Sequence, residues 1–174
     1  MDKYNGEFTG IPIMNGDVLE SNADFIVHQV NCQGIMGSGV AKQVKNKYPH
    51  VFEAYKDKCF VAMNATCRGG SVFERTQSLL GDVLFVCVDP NNAWGQQIAN
   101  LFAQHGFGYD GKCYTDYSAL QKCLNTLNQY AKGKSVAIPY MMSCYRGGGD
   151  WDVVSTMIID TLKDCDITFY RYSE

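Results

Sequence analysis

Short, almost unbroken apolar runs alternate along this chain with stretches whose apolar residues recur every three or four positions, and few folds satisfy that alternation. Val136-Ala137-Ile138 and the run from Val83 to Val88 lack the every-other-residue polarity of a strand with one wet face. Such strands are covered on both faces, so both are expected in the middle of a sheet with helices above and below it. Further strands are predicted at Ile11 to Met14, Phe25 to Val30, Gln97 to Ala103 and Ile167 to Tyr172. The Val136 run extends to Ser135 to Met141, and a weaker strand is placed near Val72. Val40, Val44, Tyr48, Val51 and Tyr55 predict a helix from about Ser38 to Tyr55, interrupted by Pro49. Tyr117, Leu120, Leu124, Leu127 and Tyr130 predict a second, capped by Thr115. Val153, Val154, Met157, Ile158 and Leu162 predict a third, starting near Asp150. Strands and helices in turn imply an α/β fold with a mixed or mostly parallel sheet.

No repeat, charge block or Pro-rich linker divides the 174 residues, so one domain over 1–174 is expected. The net charge of −3 argues against a protein held to long nucleic acid by clustered cations. A small anion remains open, because backbone N–H groups can bind one. Met1 to Gly10 has no apolar segment of the kind a leader needs, and no run approaches roughly 18 apolar residues. A soluble, cytoplasmic monomer with no membrane partner is the expectation. Cys32, Cys59, Cys67, Cys87, Cys113, Cys123, Cys144 and Cys165 show no CxxC pair. They read as reduced thiols, mostly buried, with no metal and no cofactor expected.

Two loops carry the chemistry, each leaving a strand and entering a helix, which is where ligands sit in open α/β sheets. The first is Asn31-Cys32-Gln33-Gly34-Ile35-Met36-Gly37-Ser38-Gly39-Val40-Ala41. Its glycines permit a left-handed backbone and close approach of a ligand, and the helix behind Gly39 offers unpaired N–H groups to a phosphate. The second is Ser143-Cys144-Tyr145-Arg146-Gly147-Gly148-Gly149-Asp150-Trp151. Three successive glycines cost conformational entropy, which suggests a bare backbone kept for a diphosphate. Flexible turns alone would explain both loops, and Asp150 can cap the following helix whatever else it does.

These loops, with Gly16-Asp17-Val18, Ile26-Val27-His28-Gln29-Val30-Asn31-Cys32, Lys47-Tyr48-Pro49 and Asn100-Leu101-Phe102, resemble the macrodomain family over nearly the whole chain. Within it they are most similar to the branch of ADP-ribose-1″-phosphate phosphatases, terminal ADP-ribose glycohydrolases and antitoxins that reverse DNA ADP-ribosylation. The resemblance implies a three-layer α/β/α macrodomain with a mixed central sheet and an ADP-ribose derivative, or an ADP-ribosylated macromolecule, as partner. It further implies that Asp17 accepts from the adenine amino group, that Val18 and Tyr170 lie against adenine, and that Asn31 bonds the distal ribose. Gly37, Ser38, Gly39 and Val40, with Ser143, Cys144, Tyr145, Arg146, Gly147 and Gly148, would wrap the diphosphate and that ribose. From the residues alone, Asp17 capping a turn and Tyr170 packing the core fit as well.

Glycohydrolase and antitoxin members carry a lysine after the strand matching Asn100-Leu101-Phe102, where this chain has Gln104. An amide neither ionises nor forms a Schiff base. The aspartate of the human-type enzyme falls at Gly147, three residues before Asp150. Phosphatase members lack the lysine too, and share His28 and a segment like Gly106-Phe107-Gly108. His28, near its ordinary pKa of about 6.5, is therefore the first catalytic candidate and Asp150 the second. A structural histidine and a helix cap are the alternatives. Arg146 could pair with phosphate or sit on an exposed tip, His105 reads as an exposed loop residue, and Cys32 and Cys144 rank low as nucleophiles. The expectation is an enzyme removing the 1″-phosphate of an ADP-ribose derivative. The alternatives are removal of ADP-ribose from protein or nucleic acid, and a module that binds without reacting.

Overall fold

The computed structural model describes residues 7–172; residues 1–6 of the stretch read above for a leader, and the last two of the expected domain, lie outside that range. In chain order come β1 (Glu7–Phe8), β2 (Ile11–Asn15), β3 (Phe25–Asn31), α1 (Gly39–Lys47), α2 (Pro49–Met63), α3 (Val72–Gln77), β4 (Val83–Cys87), β5 (Gln97–Gln104), α4 (Tyr117–Tyr130), β6 (Ser135–Pro139), α5 (Trp151–Thr161) and β7 (Asp166–Arg171). The strands form one sheet in the order β1-β2-β7-β6-β3-β5-β4. The five from β2 to β5 run parallel, and antiparallel β1 and β4 close the edges, so the sheet is mixed. α4 and α5 cover one face through Leu120, Leu124, Leu127, Val154 and Ile158. α1 and α2 cover the other through Val44, Val51, Tyr55 and Cys59. Two helical layers on one sheet give the α/β/α architecture.

Several local expectations are corrected. Residues around Val72 form helix α3, because Ser71 Oγ accepts from Glu74 N while the Glu74 carboxylate accepts from Ser71 N. β4 is an edge strand; its apolar run is continuous because α2 and α4 pack against its two faces. Asp116, not Thr115, caps α4, its Oδ1 accepting from Ala119 N at 2.9 Å. The first helix does break before Pro49, at Tyr48, whose φ of −129° and ψ of 71° are not helical, but α2 then runs on to Met63. The sixth strand stops at Pro139, two residues early, since Met141 turns left-handed. Among the cysteines only Cys32, Cys59 and Cys123 are buried; Cys67 and Cys113 are exposed, and all eight are free. Among the described residues, no helix is long and apolar enough to cross a membrane.

Parallel strands deliver their carboxyl ends to one edge of the sheet. β3 ends there at Asn31, β5 at Gln104 and β6 at Pro139, and both glycine-rich loops leave from that edge. The strand order puts β3 between β6 and β5, so the two loops become neighbours across it.

Candidate functional site

Asn31 ends β3 and braces the first loop with its own side chain. Its Oδ1 accepts from Gln33 N at 2.9 Å and from the Tyr55 hydroxyl at 2.8 Å, and its Nδ2 donates to Ile35 O at 2.7 Å. An amide nitrogen carries two hydrogens, so one remains for a ligand. Tyr55, wholly buried on α2, reads in sequence only as an apolar position. Burial pushes its pKa up and keeps the hydroxyl a donor. Tyr55→Phe is expected to lower stability by about 1–2 kcal/mol, measured as the urea midpoint, since Asn31 loses a buried donor. An unchanged midpoint would remove Tyr55 from this brace.

The loop reaches α1 through Ser38, whose side chain makes no cap. The first-turn N–H groups of α1 therefore have no side-chain acceptor, and the helix end carries partial positive charge. Gly39 sits at φ +56°, and a β-carbon added there would meet no atom within 4 Å, so the glycine is needed for its left-handed backbone, in open space. α5 is the opposite case, because Asp150 accepts from Asp152 N at 2.8 Å and from Val153 N.

The second loop is strained. Met141 and Ser143 hold φ of +63° and +71°, a left-handed backbone that non-glycine residues adopt at a cost of about 1 kcal/mol or more. Its glycines turn out to make room for the chain itself. A side chain at Gly147 would meet Ser143 O, Thr115 Oγ1 and, at 2.8 Å, Gln29 Nε2; one at Gly148, where φ is +66°, would meet the backbone of Lys112 and Cys113. Gly147 O accepts from Tyr114 N at 2.8 Å and Thr115 N at 2.9 Å, which ties the loop to the entry of α4.

Gln29, on β3, joins these parts. Its Oε1 accepts from Ser143 Oγ at 2.6 Å, and its Nε2 donates to Gln104 Oε1 at 2.7 Å and to Thr115 Oγ1 at 3.0 Å. Gln104 passes the polarity on, its Nε2 donating to Gly106 O at 2.8 Å. The residue standing at the expected lysine position is thus a buried link between β3, β5 and the following loop. A lone glutamine in an apolar run gives no signal of such a role.

His28 is 2% exposed. Asn100 Nδ2 donates to Leu84 O, which turns its Oδ1 toward His28 Nε2 at 2.7 Å and makes that nitrogen the protonated one. Nδ1 is then a lone-pair acceptor, buried and without a partner among the described residues. Burial pulls the pKa down to about 4 against the opposing bond to Asn100, so the ring is neutral rather than titrating near its ordinary value. Burial likewise pushes the Cys32 and Cys144 thiols up to about 12, leaving neither as a thiolate. His105 is only partly exposed and shares a bond with Thr76 Oγ1 at 2.9 Å.

Two adjoining cavities open at this edge. The first, about 100 Å³, is lined by Gln29, Asn31, Gly37, Ser38, Gln104 and the 107–109 loop. The second, about 180 Å³, is lined by His28, Gly39, Val40, Ser143, Tyr145 and Gly147. Gln29, Ser38, Ala41, Gln104 and Arg146 face both, making one groove. Cys144, Gly148 and Asp150 line neither. Asp17 caps the short turn Val18–Glu20 by accepting from Leu19 N at 2.9 Å, Val18 is buried, and Tyr170 packs the same cluster. These three stand where β2 and β7 end, on the same edge but outside both cavities.

Comparison with known proteins fits this arrangement. A 47-residue stretch, 26% of the chain, is 47% identical to an ADP-ribose 1″-phosphate phosphatase of Neosartorya fischeri and covers 24% of it. A 45-residue stretch is 44% identical to a DNA ADP-ribosyl glycohydrolase of Mycobacterium tuberculosis, covering 26% of this chain and only 13% of that protein. The solved macrodomain of Mycobacterium tuberculosis DarG superposes with a TM-score of 0.65 at 26% identity, over 92% of this chain and 98% of that one. The family pattern described as the Macro domain matches residues 27–158, from the middle of β3 into α5 and through every residue lining both cavities. On that match, this chain belongs to the Macro domain family.

Proposed function

We propose that this protein binds ADP-ribose along the groove and hydrolyses the phosphate ester of ADP-ribose 1″-phosphate. One observation carries the reading: Arg146 is the only charged side chain among the residues lining the two cavities, and no carboxylate is there to oppose it. A diphosphate bearing a further phosphate suits a groove with one guanidinium and an uncapped helix end. A neutral glycoside would need acid–base groups, whereas the distal side offers the amides of Gln29, Asn31 and Gln104.

In this reading the diphosphate lies against the first turn of α1 and the 143–147 loop, and the free Nδ2 hydrogen of Asn31 orients the distal ribose. Water attacks phosphorus, the P–O bond to C1″ oxygen breaks, that oxygen takes up the proton the water gives up, and ADP-ribose leaves with inorganic phosphate. His28 lines only the second cavity and its Nδ1 is buried, so it is assigned to the wall beside the diphosphate rather than to the attacking water. Asp150 is assigned to capping α5. The relatives named as phosphatase and glycohydrolase support hydrolysis, and the phosphatase matches fit a chain without the lysine.

The test incubates the protein with ADP-ribose 1″-phosphate and measures phosphate release, with calorimetry of ADP-ribose alongside. Arg146→Ala should raise KM on the order of tenfold or more, the value of a charge-assisted contact to phosphate. Binding without release of phosphate would overturn the enzymatic half, and the protein would then be a module that only binds.

A further inference from the structure

Arg146 faces both cavities, so its position alone does not say which phosphate it serves. Tyr109 decides between them. It lines the first cavity, the one holding Asn31, and not the second. Its ring centroid lies 4.5 Å from Arg146 Cζ, and both residues line that cavity. Among the described residues no carboxylate pairs with Arg146. A guanidinium against a ring face keeps its N–H donors for oxygen acceptors, whereas a carboxylate partner would occupy them.

The loop bearing Tyr109 is built to hold it. Gly108 has no room for a side chain, since a β-carbon would meet the Tyr114 hydroxyl and, at 2.8 Å, Tyr114 Cζ. Tyr114 donates to Asp110 Oδ1 at 2.9 Å, and Lys112 Nζ pairs with Asp110 Oδ2 at 2.9 Å. The loop thus closes on itself on either side of residue 109. Asp110, the nearest carboxylate in sequence, is already engaged by Lys112 and Tyr114 and does not compete for the guanidinium.

We infer that Tyr109 is a specificity-determining residue that holds Arg146 over the distal end of the groove and so selects ligands with a phosphate on C1″. The inference rests on the phosphatase reading of the same groove. It gives Arg146 the distal phosphate and leaves the diphosphate to backbone N–H groups. Tyr109 acts through Arg146 and is a positioning residue.

The experiment compares two probes, ADP-ribose by calorimetry and ADP-ribose 1″-phosphate by stopped-flow binding before turnover, and reads the ratio of the two affinities. The parent should favour the phosphorylated ligand on the order of tenfold or more. Tyr109→Ala should cut that ratio roughly two- to fivefold, the worth of a cation–π contact at an exposed ring. Tyr109→Phe, which keeps the ring, should restore it, Arg146→Ala should abolish it, and added salt should shrink it. Equal affinities in the parent overturn the inference, as does a Tyr109→Ala ratio equal to the parent's or a loss that is proportionate for both ligands. Preference without phosphate release would overturn the hydrolytic reading and leave this one standing. Phosphate release without preference would do the reverse.

Discussion

Gly147→Ala is expected to melt well below the parent and to lose ADP-ribose binding. The added β-carbon has nowhere to go. It would sit against Ser143 O, Thr115 Oγ1 and Gln29 Nε2, two of them backbone or short side chains, and all three belong to the network joining the loops. Overpacking of this kind costs about 3 kcal/mol. For a chain of this length that is roughly 6–12 °C in melting temperature. Relief would come from moving the loop away from Thr115, which breaks the bonds from Tyr114 N and Thr115 N to Gly147 O and frees Ser143 from its strained φ. The second cavity would lose its shape with it. Gly37→Ala is the control for stability. A β-carbon there touches only Ile35 Cγ2, at 3.7 Å, and the melting temperature should stay within about 2 °C. Equal melting temperatures for the two variants would refute the packing account of the second loop.

That contrast shows what the glycines could and could not say in sequence. Gly-rich loops after strands located the groove, because positive φ and close approach leave a compositional trace. Which glycine serves a ligand and which serves the chain depends on the 112–115 segment, some thirty residues away, whose approach no local pattern records. The alternation of runs and periodic stretches was enough for the sheet, the helical layers and the site's edge. It misplaced β4, because an edge strand packed on both faces by α2 and α4 reads like a central one. The capping box Ser71-Val72-Phe73-Glu74, which starts α3, is written in the sequence, and the strand placed near Val72 passes over it. Gln29, Tyr55 and Tyr109 were not legible at all as site residues. Each acts through a polar group or ring face whose partner is far away in sequence; Gln29 and Tyr55 sit among apolar residues and Tyr109 in a glycine-rich loop, and none of those settings marks a side chain as part of a site. His28 was legible as a residue and not as a charge state, because the burial that lowers its pKa and the turn of Asn100 are products of the fold.

The buried histidine makes the second large effect one of pH. In the unfolded chain His28 has the ordinary histidine pKa of 6.5; in the fold it is held down to about 4. Above pH 6.5 it is neutral in both states and contributes nothing to the difference. Between 6.5 and 4 the unfolded chain takes up a proton that the folded chain refuses, so stability falls as pH falls. Each unit is worth about 1.4 kcal/mol, and the full window about 3 kcal/mol, a large part of a domain's stability. Carboxylates held low in the fold, Asp24, Glu74 and Asp110, contribute stability that is lost nearer and below their ordinary values of 3.8 to 4.5, so the range from pH 6.5 to 5 belongs to histidine. Urea unfolding followed across that range should show the decline. His28→Gln, which keeps a donor in reach of Asn100 Oδ1 and cannot titrate, should flatten it. A His28→Gln protein with the parent's slope would mean that His28 takes up its proton as readily in the fold as in the unfolded chain.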